Sequence, residues 1–170
     1  MLLAICIIIP LALAGTNLIT TKKIAELEIK KQKEAMESLI VADSFSEEDI
    51  EGSAYYKAIK DNAAIGYIFI TSAPGYGGDV SVMTACELDG TIKAVKILDV
   101  SNETPGLGQN TAKESFYSQF SGKSGKIGDT DIKAVTAATI SSNAVRNAVN
   151  KATDLYSKLP TEEEVAESEE

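Results

Sequence analysis

The sequence predicts an α+β domain, an antiparallel sheet followed by helices, carried behind an apolar N-terminal run. Three observations predict it. Two pairs of apolar-rich segments flank the turn signals Asp61-Asn62 and Asp89-Gly90, as in β-hairpins. Downstream of Ser142, apolar residues recur at three- and four-residue spacing, as on one face of a helix. The strands come as a run with the helices after them, an order that fits α+β and not βαβ units.

The elements follow in chain order. Leu2 to Leu18 is almost wholly apolar and close to the roughly 20 residues that cross a bilayer. We read 1–19 as a transmembrane helix. A cleaved signal peptide also fits, because Ala12-Leu13-Ala14 precedes Gly15 as a small-residue cleavage site would. No Lys or Arg precedes the run, and an amphipathic helix follows at once, which favours the anchor. A lipoprotein signal at Cys6 fails, since Ile5 is too large and the run before it too short. Lys22, Lys23, Lys30, Lys31 and Lys33 follow the span, so the positive-inside rule alone would put the C-terminal part in the cytoplasm. A basic N-terminus lost upstream of Met1 would remove that conflict.

Residues 20–52 read as a helical stalk and linker. Ile24, Leu27, Met36, Leu39 and Ile40 form the stalk's apolar stripe, with Lys and Glu on its other face. Val41 to Gly52 is acidic and turn-rich, which predicts a linker. The domain proper spans 53–159. Its first hairpin pairs Tyr55–Ile59 with Ala64–Thr71, and its second pairs Val80–Leu88 with Thr91–Val100. A glycine-rich loop, Pro74 to Asp79, joins them, and Ser115–Phe120 is a short helix. Ile132, Ala134 and Val135 read as a short buried strand ahead of the last helix. The acidic stretch 160–170 is a disordered tail.

Composition removes whole classes of function. With 0 histidines there is no His-based triad, histidine metal site or histidine-ligated haem. The 2 cysteines, Cys6 and Cys86, form no metal-ligand spacing, and no metal site is expected. At a net charge of -9 and without a basic face, the chain is not a nucleic-acid binder. Catalytic residues in the ordinary sense are not expected either.

Chemistry concentrates in three segments. Gly75-Tyr76-Gly77-Gly78 lets backbone approach a ligand, with Tyr76 free to stack on a planar ring, and also reads as a plain wide turn. Asn102-Glu103-Thr104-Pro105-Gly106-Leu107-Gly108 is a shaped loop; its Gly-Leu-Gly lacks the third glycine and the βαβ context of a dinucleotide fingerprint. Thr136-Ala137-Ala138-Thr139-Ile140-Ser141-Ser142 is the hinge between the short strand and the last helix. Ser141, Ser142 and Asn143 can all cap a helix start, which puts Thr139 just ahead of an N-terminus that favours an anion.

The hinge resembles the attachment motif of the FMN-binding domain family, Asp-x-x-Ser/Thr-Gly-Ala-Thr/Ser, in which FMN is joined by a phosphoester to the last residue. Lys133 stands here where Asp is usual and Ala137 where Gly is usual. The three segments also occur in the order and spacing of the G subunit of Rnf electron-transport complexes, related to the C subunit of the sodium-pumping NADH:quinone reductase. The resemblance implies FMN held covalently through Thr139, with Thr136, Ser141, Ser142, Glu103, Thr104, Leu107 and Gly108 around it. It implies maturation by a flavin transferase and partnership with the other membrane subunits of an Rnf-type complex. Such a complex passes electrons between ferredoxin and NAD while moving Na+ or H+. The chain would be a single-pass protein of the cytoplasmic membrane, with its FMN domain on the extracytoplasmic side. Two other readings stay open: a flavin-free structural or adaptor subunit, and an extracytoplasmic binding domain for free FMN.

Overall fold

The structure, a computed structural model, describes residues 27 and 29–160. The apolar run, the first part of the stalk and the acidic tail lie outside the described residues. Among the described residues, no helix is long and apolar enough to cross a membrane. The chain divides into two compact units between Ala35 and Met36. What is described of the first unit is helical, as the stalk's periodicity predicts.

Among the described residues, the second unit is built on five strands: β1 (Ser44–Ile50), β2 (Ser53–Lys60), β3 (Ala63–Pro74), β4 (Asp79–Cys86) and β5 (Ile92–Asp99). They lie in sequence order, each antiparallel to the last. Local turn chemistry explains this meander. Asp61 and Asn62 both have positive φ, 51° and 64°, the conformation a two-residue hairpin turn demands. Gly90 has φ 82°, and a side chain there would meet the Tyr156 ring. The sheet is followed by α1 (Glu114–Tyr117), which runs on into a 3-10 turn at Ser118–Phe120, and by α2 (Thr139–Tyr156).

Strand alternation decides where the core sits. Phe69, Thr71 and Ala73 of β3 pair across with Thr84, Val82 and Val80 of β4 and share one face. Helix α2 packs on that face through Ala144, Val145, Ala148, Val149 and Ala152, all buried. Thr71 Oγ1 donates to the Ala148 carbonyl at 2.7 Å and fixes the helix along the sheet. On the opposite face Ile68, Met83 and Ala85 are buried, as are Met36 and Ile40. Ile40 lies over Gly66, where a Cβ would come within 3.2 Å of its Cδ1.

The structure corrects two elements of the sequence reading. The acidic stretch read as a linker contains β1, whose seven residues pair with β2 from Ser44↔Ile59 to Ile50↔Ser53. An edge strand tolerates charge on its open side, and Glu48 accepts the Tyr55 hydroxyl at 2.5 Å. Ile132, Ala134 and Val135 form no strand. Side chains take the place of a ladder partner: Lys133 N donates to Gln119 Oε1 at 2.9 Å, and Gln119 Nε2 donates back to Lys133 O at 3.2 Å. Ile132 alone of the three is fully buried.

Candidate functional site

Helix α2 begins at Thr139 itself, one turn earlier than its serines suggest. Its N-cap is Ala138, and no side chain caps it. The serines inside the first turn are committed elsewhere. Ser142 Oγ accepts Val135 N at 3.0 Å and donates to Ala138 O at 2.9 Å, which locks the turn leading into the helix. Ser141 Oγ donates to Glu103 Oε2. The first amides of an 18-residue helix are thus left without a side-chain acceptor, at the end where the helix dipole favours negative charge. Thr139 is exposed there, and its hydroxyl bonds to no acceptor among the described residues. Ala137, just before, has φ 60°, a left-handed conformation that a glycine adopts at less cost.

Two loops from the sheet face this helix start. The loop after β3 is closed by Gly75 N donating to Gly78 O at 2.8 Å. The loop after β5 opens with Asp99 accepting Ser101 N at 2.7 Å, a bond that holds the Asp99 carboxyl below its usual range. It continues through Glu103 N donating to Val100 O at 3.0 Å. A Cβ on Gly77 would collide with the Asn102 carbonyl, so only bare backbone lets the loops touch.

Between the loops and the helix start lies a cleft of about 540 Å³. Tyr76, Thr104, Leu107, Gly108, Ala137, Ala138, Thr139, Ile140 and Ser141 line it. Tyr76, Leu107 and Ile140 are exposed large apolar side chains, 70%, 42% and 55% accessible, gathered at one opening. Their flat and branched surfaces beside free helix amides suit a ligand with a planar apolar body and an anionic end. FMN has that build, and the volume falls in the usual range for such a ligand.

The predicted site residues separate into groups. Thr139, Ser141, Thr104, Leu107 and Gly108 come together on the cleft. Thr136 lines a different hollow, of about 320 Å³, with Lys113, Gln119 and Lys133. Ser142 lines a third, of about 280 Å³, which it shares with Thr139, Asn143 and the Asp129–Arg146 ion pair. Glu103 is 2% exposed and lies beneath the cleft wall. The sequence reading weighed Tyr76 as a stacking residue but left it out of the site, and it missed Ile140. Both are large apolar residues beside small ones, which was the available signal. Among the described residues, no group of three or more acidic or cysteine side chains could hold a metal ion.

The chain resembles proteins of known type at this site and beyond it. The FMN-binding domain family matches residues 75–154, from the first glycine loop through most of α2. The chain is 34% identical over 163 residues to the G subunit of the proton-translocating ferredoxin:NAD(+) oxidoreductase complex of Clostridium ljungdahlii, covering 88% of this chain and 84% of the relative. It belongs to the G-subunit family of Rnf-type complexes. A second relative in that family is the G subunit of the Na(+)-translocating ferredoxin:NAD(+) oxidoreductase complex of Acetobacterium woodii. It is 32% identical over 87% of this chain and 84% of its own. Two solved structures share the fold. NqrC of Shewanella oneidensis matches with a TM-score of 0.50 at 23% identity, over 58% of this chain and 54% of its own. The C subunit of the Na(+)-translocating NADH-quinone reductase of Parabacteroides distasonis matches with a TM-score of 0.52 at 22% identity, over 62% and 61%.

Proposed function

We propose that this Rnf-family protein holds FMN covalently through Thr139 and relays electrons within an ion-translocating ferredoxin:NAD oxidoreductase. It is an electron-transfer subunit of a multi-subunit oxidoreductase and not a complete enzyme. The single observation that carries the covalent reading is the placement of Thr139. It is an exposed hydroxyl on the first residue of an uncapped 18-residue helix, facing a cleft of flavin size. A phosphoester at Thr139 Oγ1 would keep the phosphate beside the helix-start amides, which favour its negative charge.

When bound, FMN supplies one- and two-electron redox chemistry; the chain supplies position and shelter. Tyr76, Leu107 and Ile140 offer apolar surface to the ring, and Thr104 offers a polar contact at the cleft edge. Ala137 already adopts the left-handed conformation at φ 60°, so the loop takes its shape without the family's usual glycine. The backbone of Lys133, where the family has Asp, is held by Gln119, so its side chain is not needed to shape the turn. By this reading the apolar run at 1–19 anchors the chain in the cytoplasmic membrane, single-pass, with the flavin domain outside. A flavin transferase loads the domain, and the other membrane subunits of the complex, which moves Na+ or H+, are its neighbours.

In-gel flavin fluorescence on denatured protein, co-expressed with a flavin transferase, tests this reading. Fluorescence should survive denaturation in wild type and disappear in Thr139→Val. A dark wild-type band would overturn covalent attachment.

A further inference from the structure

The geometry points to Glu103 as a buried clamp that sets the width of the cleft, a positioning residue and not a group that touches the flavin. Its consequence for the cofactor rests on the flavin reading above; the clamp itself is a property of the chain. Glu103 Oε1 accepts Tyr76 N at 2.8 Å and Gly77 N at 3.1 Å, and Oε2 accepts the Ser141 hydroxyl. Those donors lie 27, 26 and 38 positions away in sequence. One side chain therefore ties together the loop after β3, the loop after β5 and the first turn of α2.

The glycines around it fit this role. A Cβ on Gly108 would lie 2.6 Å from Ser141 Oγ and 2.7 Å from Glu103 Oε2. One on Gly75 would collide with Glu103 Oε1. Both glycine motifs thus leave room for a carboxylate inside the wall, which explains them without any ligand approaching their backbone. For Glu103 to turn into the cleft, it would have to abandon three donors, and Ser141 would be left buried without its acceptor. Held in place, it fixes the backbone of Tyr76, whose ring is 70% exposed at the cleft mouth.

The test uses the full chain bearing Thr139→Val, which is free of covalent flavin whether or not the flavin reading holds. Amide hydrogen exchange is followed at Tyr76 and Gly77. Glu103→Ala should speed exchange at both amides by about 10- to 100-fold relative to the sheet, the range expected when a charge-assisted hydrogen bond is lost. Glu103→Gln should stay near the parent, because its carbonyl oxygen can accept both amides and its amide can donate to Ser141 Oγ. Unchanged exchange in Glu103→Ala would overturn the clamp. If that variant does not fold, Ser141→Ala carries the test: it removes one leg of the clamp and should speed the same two amides, although Ser141 touches neither, and no change there would also overturn it.

A second readout uses the Thr139 chain loaded with flavin. Flavin fluorescence should rise in Glu103→Ala and Tyr76→Ala and stay at the wild-type level in Glu103→Gln. A midpoint potential that moves as far in Glu103→Gln as in Glu103→Ala would mean that the charge faces the flavin, and would overturn the clamp. Exchange behaving as expected, together with a Thr139 chain that takes up no flavin when co-expressed with the transferase, would sink the flavin reading and leave the clamp standing.

Discussion

Ala137 shows how much one residue's backbone can say. Its φ of 60° places a Cβ-bearing residue where the carbonyl crowds it, at a cost of roughly 1–2 kcal/mol relative to right-handed backbone. Ala137→Gly relieves that cost but frees the unfolded chain, so the net gain should be about 0.5–1 kcal/mol. Urea melts of the two proteins measure it, and a loss of stability would mean that the methyl group packs more than the turn strains. The sequence records the substitution of Ala for Gly but not its meaning, because only the dihedral angle tells a strained alanine from an indifferent one. Glu103 is named in the sequence reading as a residue beside the flavin, but its burial was illegible for a related reason. Its three donors are remote in sequence, and nothing near position 103 announces that a loop carboxylate will be buried. The helix start at Thr139 was legible because its signal is local: small residues, then serines, then a helical period.

At the scale of elements, α2 sits on the sheet through Ala144, Ala148 and Ala152, a stripe of small residues four apart that lets helix and strands approach closely. Ala148→Leu would force extra methyl groups into the crossing where Thr71 bonds the Ala148 carbonyl. Overpacking there should cost about 1–3 kcal/mol. Thermal melts read it at roughly 2–4 °C per kcal/mol for a domain of this size. A variant that melts with wild type would mean that the crossing has slack. Strands β2 to β5 and α2 were readable because their apolar periods and turn residues agree. β1 was not, since its Glu47, Glu48 and Asp49 look like solvated loop and only pairing with β2 makes them strand. The segment at Ile132 misleads the other way: it has strand-like composition, but the Gln119 side chain takes up the backbone of Lys133 where a ladder partner would.

The whole molecule should answer to alkali. Burial pushes the Cys86 thiol from 9.0 up to about 12, with help from Asp89. Burial likewise raises Tyr55, Tyr56 and Tyr156 above 10.0. The folded state holds these protons more tightly than the unfolded chain does. Their stabilisation is therefore complete below the ordinary values and is lost as pH rises through the folded ones. The urea midpoint should stay level to about pH 8.5 and then fall. Cys86→Ala should fall less steeply between pH 9.0 and about 12. Parallel curves for the two proteins would remove Cys86 from the account.

The acidic edge strand has a consequence for how the domain lives among its own copies. Among the described residues, the five-stranded meander leaves the outer side of β1 without a strand partner, ready to accept a sixth strand from a neighbour. Two copies meeting there would bring Glu47, Glu48 and Asp49 of one against the same three of the other, on chains that each carry a net charge of -9. Like charges face each other at the moment the strands would have to zip. Along β1 the sheet is guarded against its own kind by repulsion, which keeps copies of the domain from zipping together there into fibres.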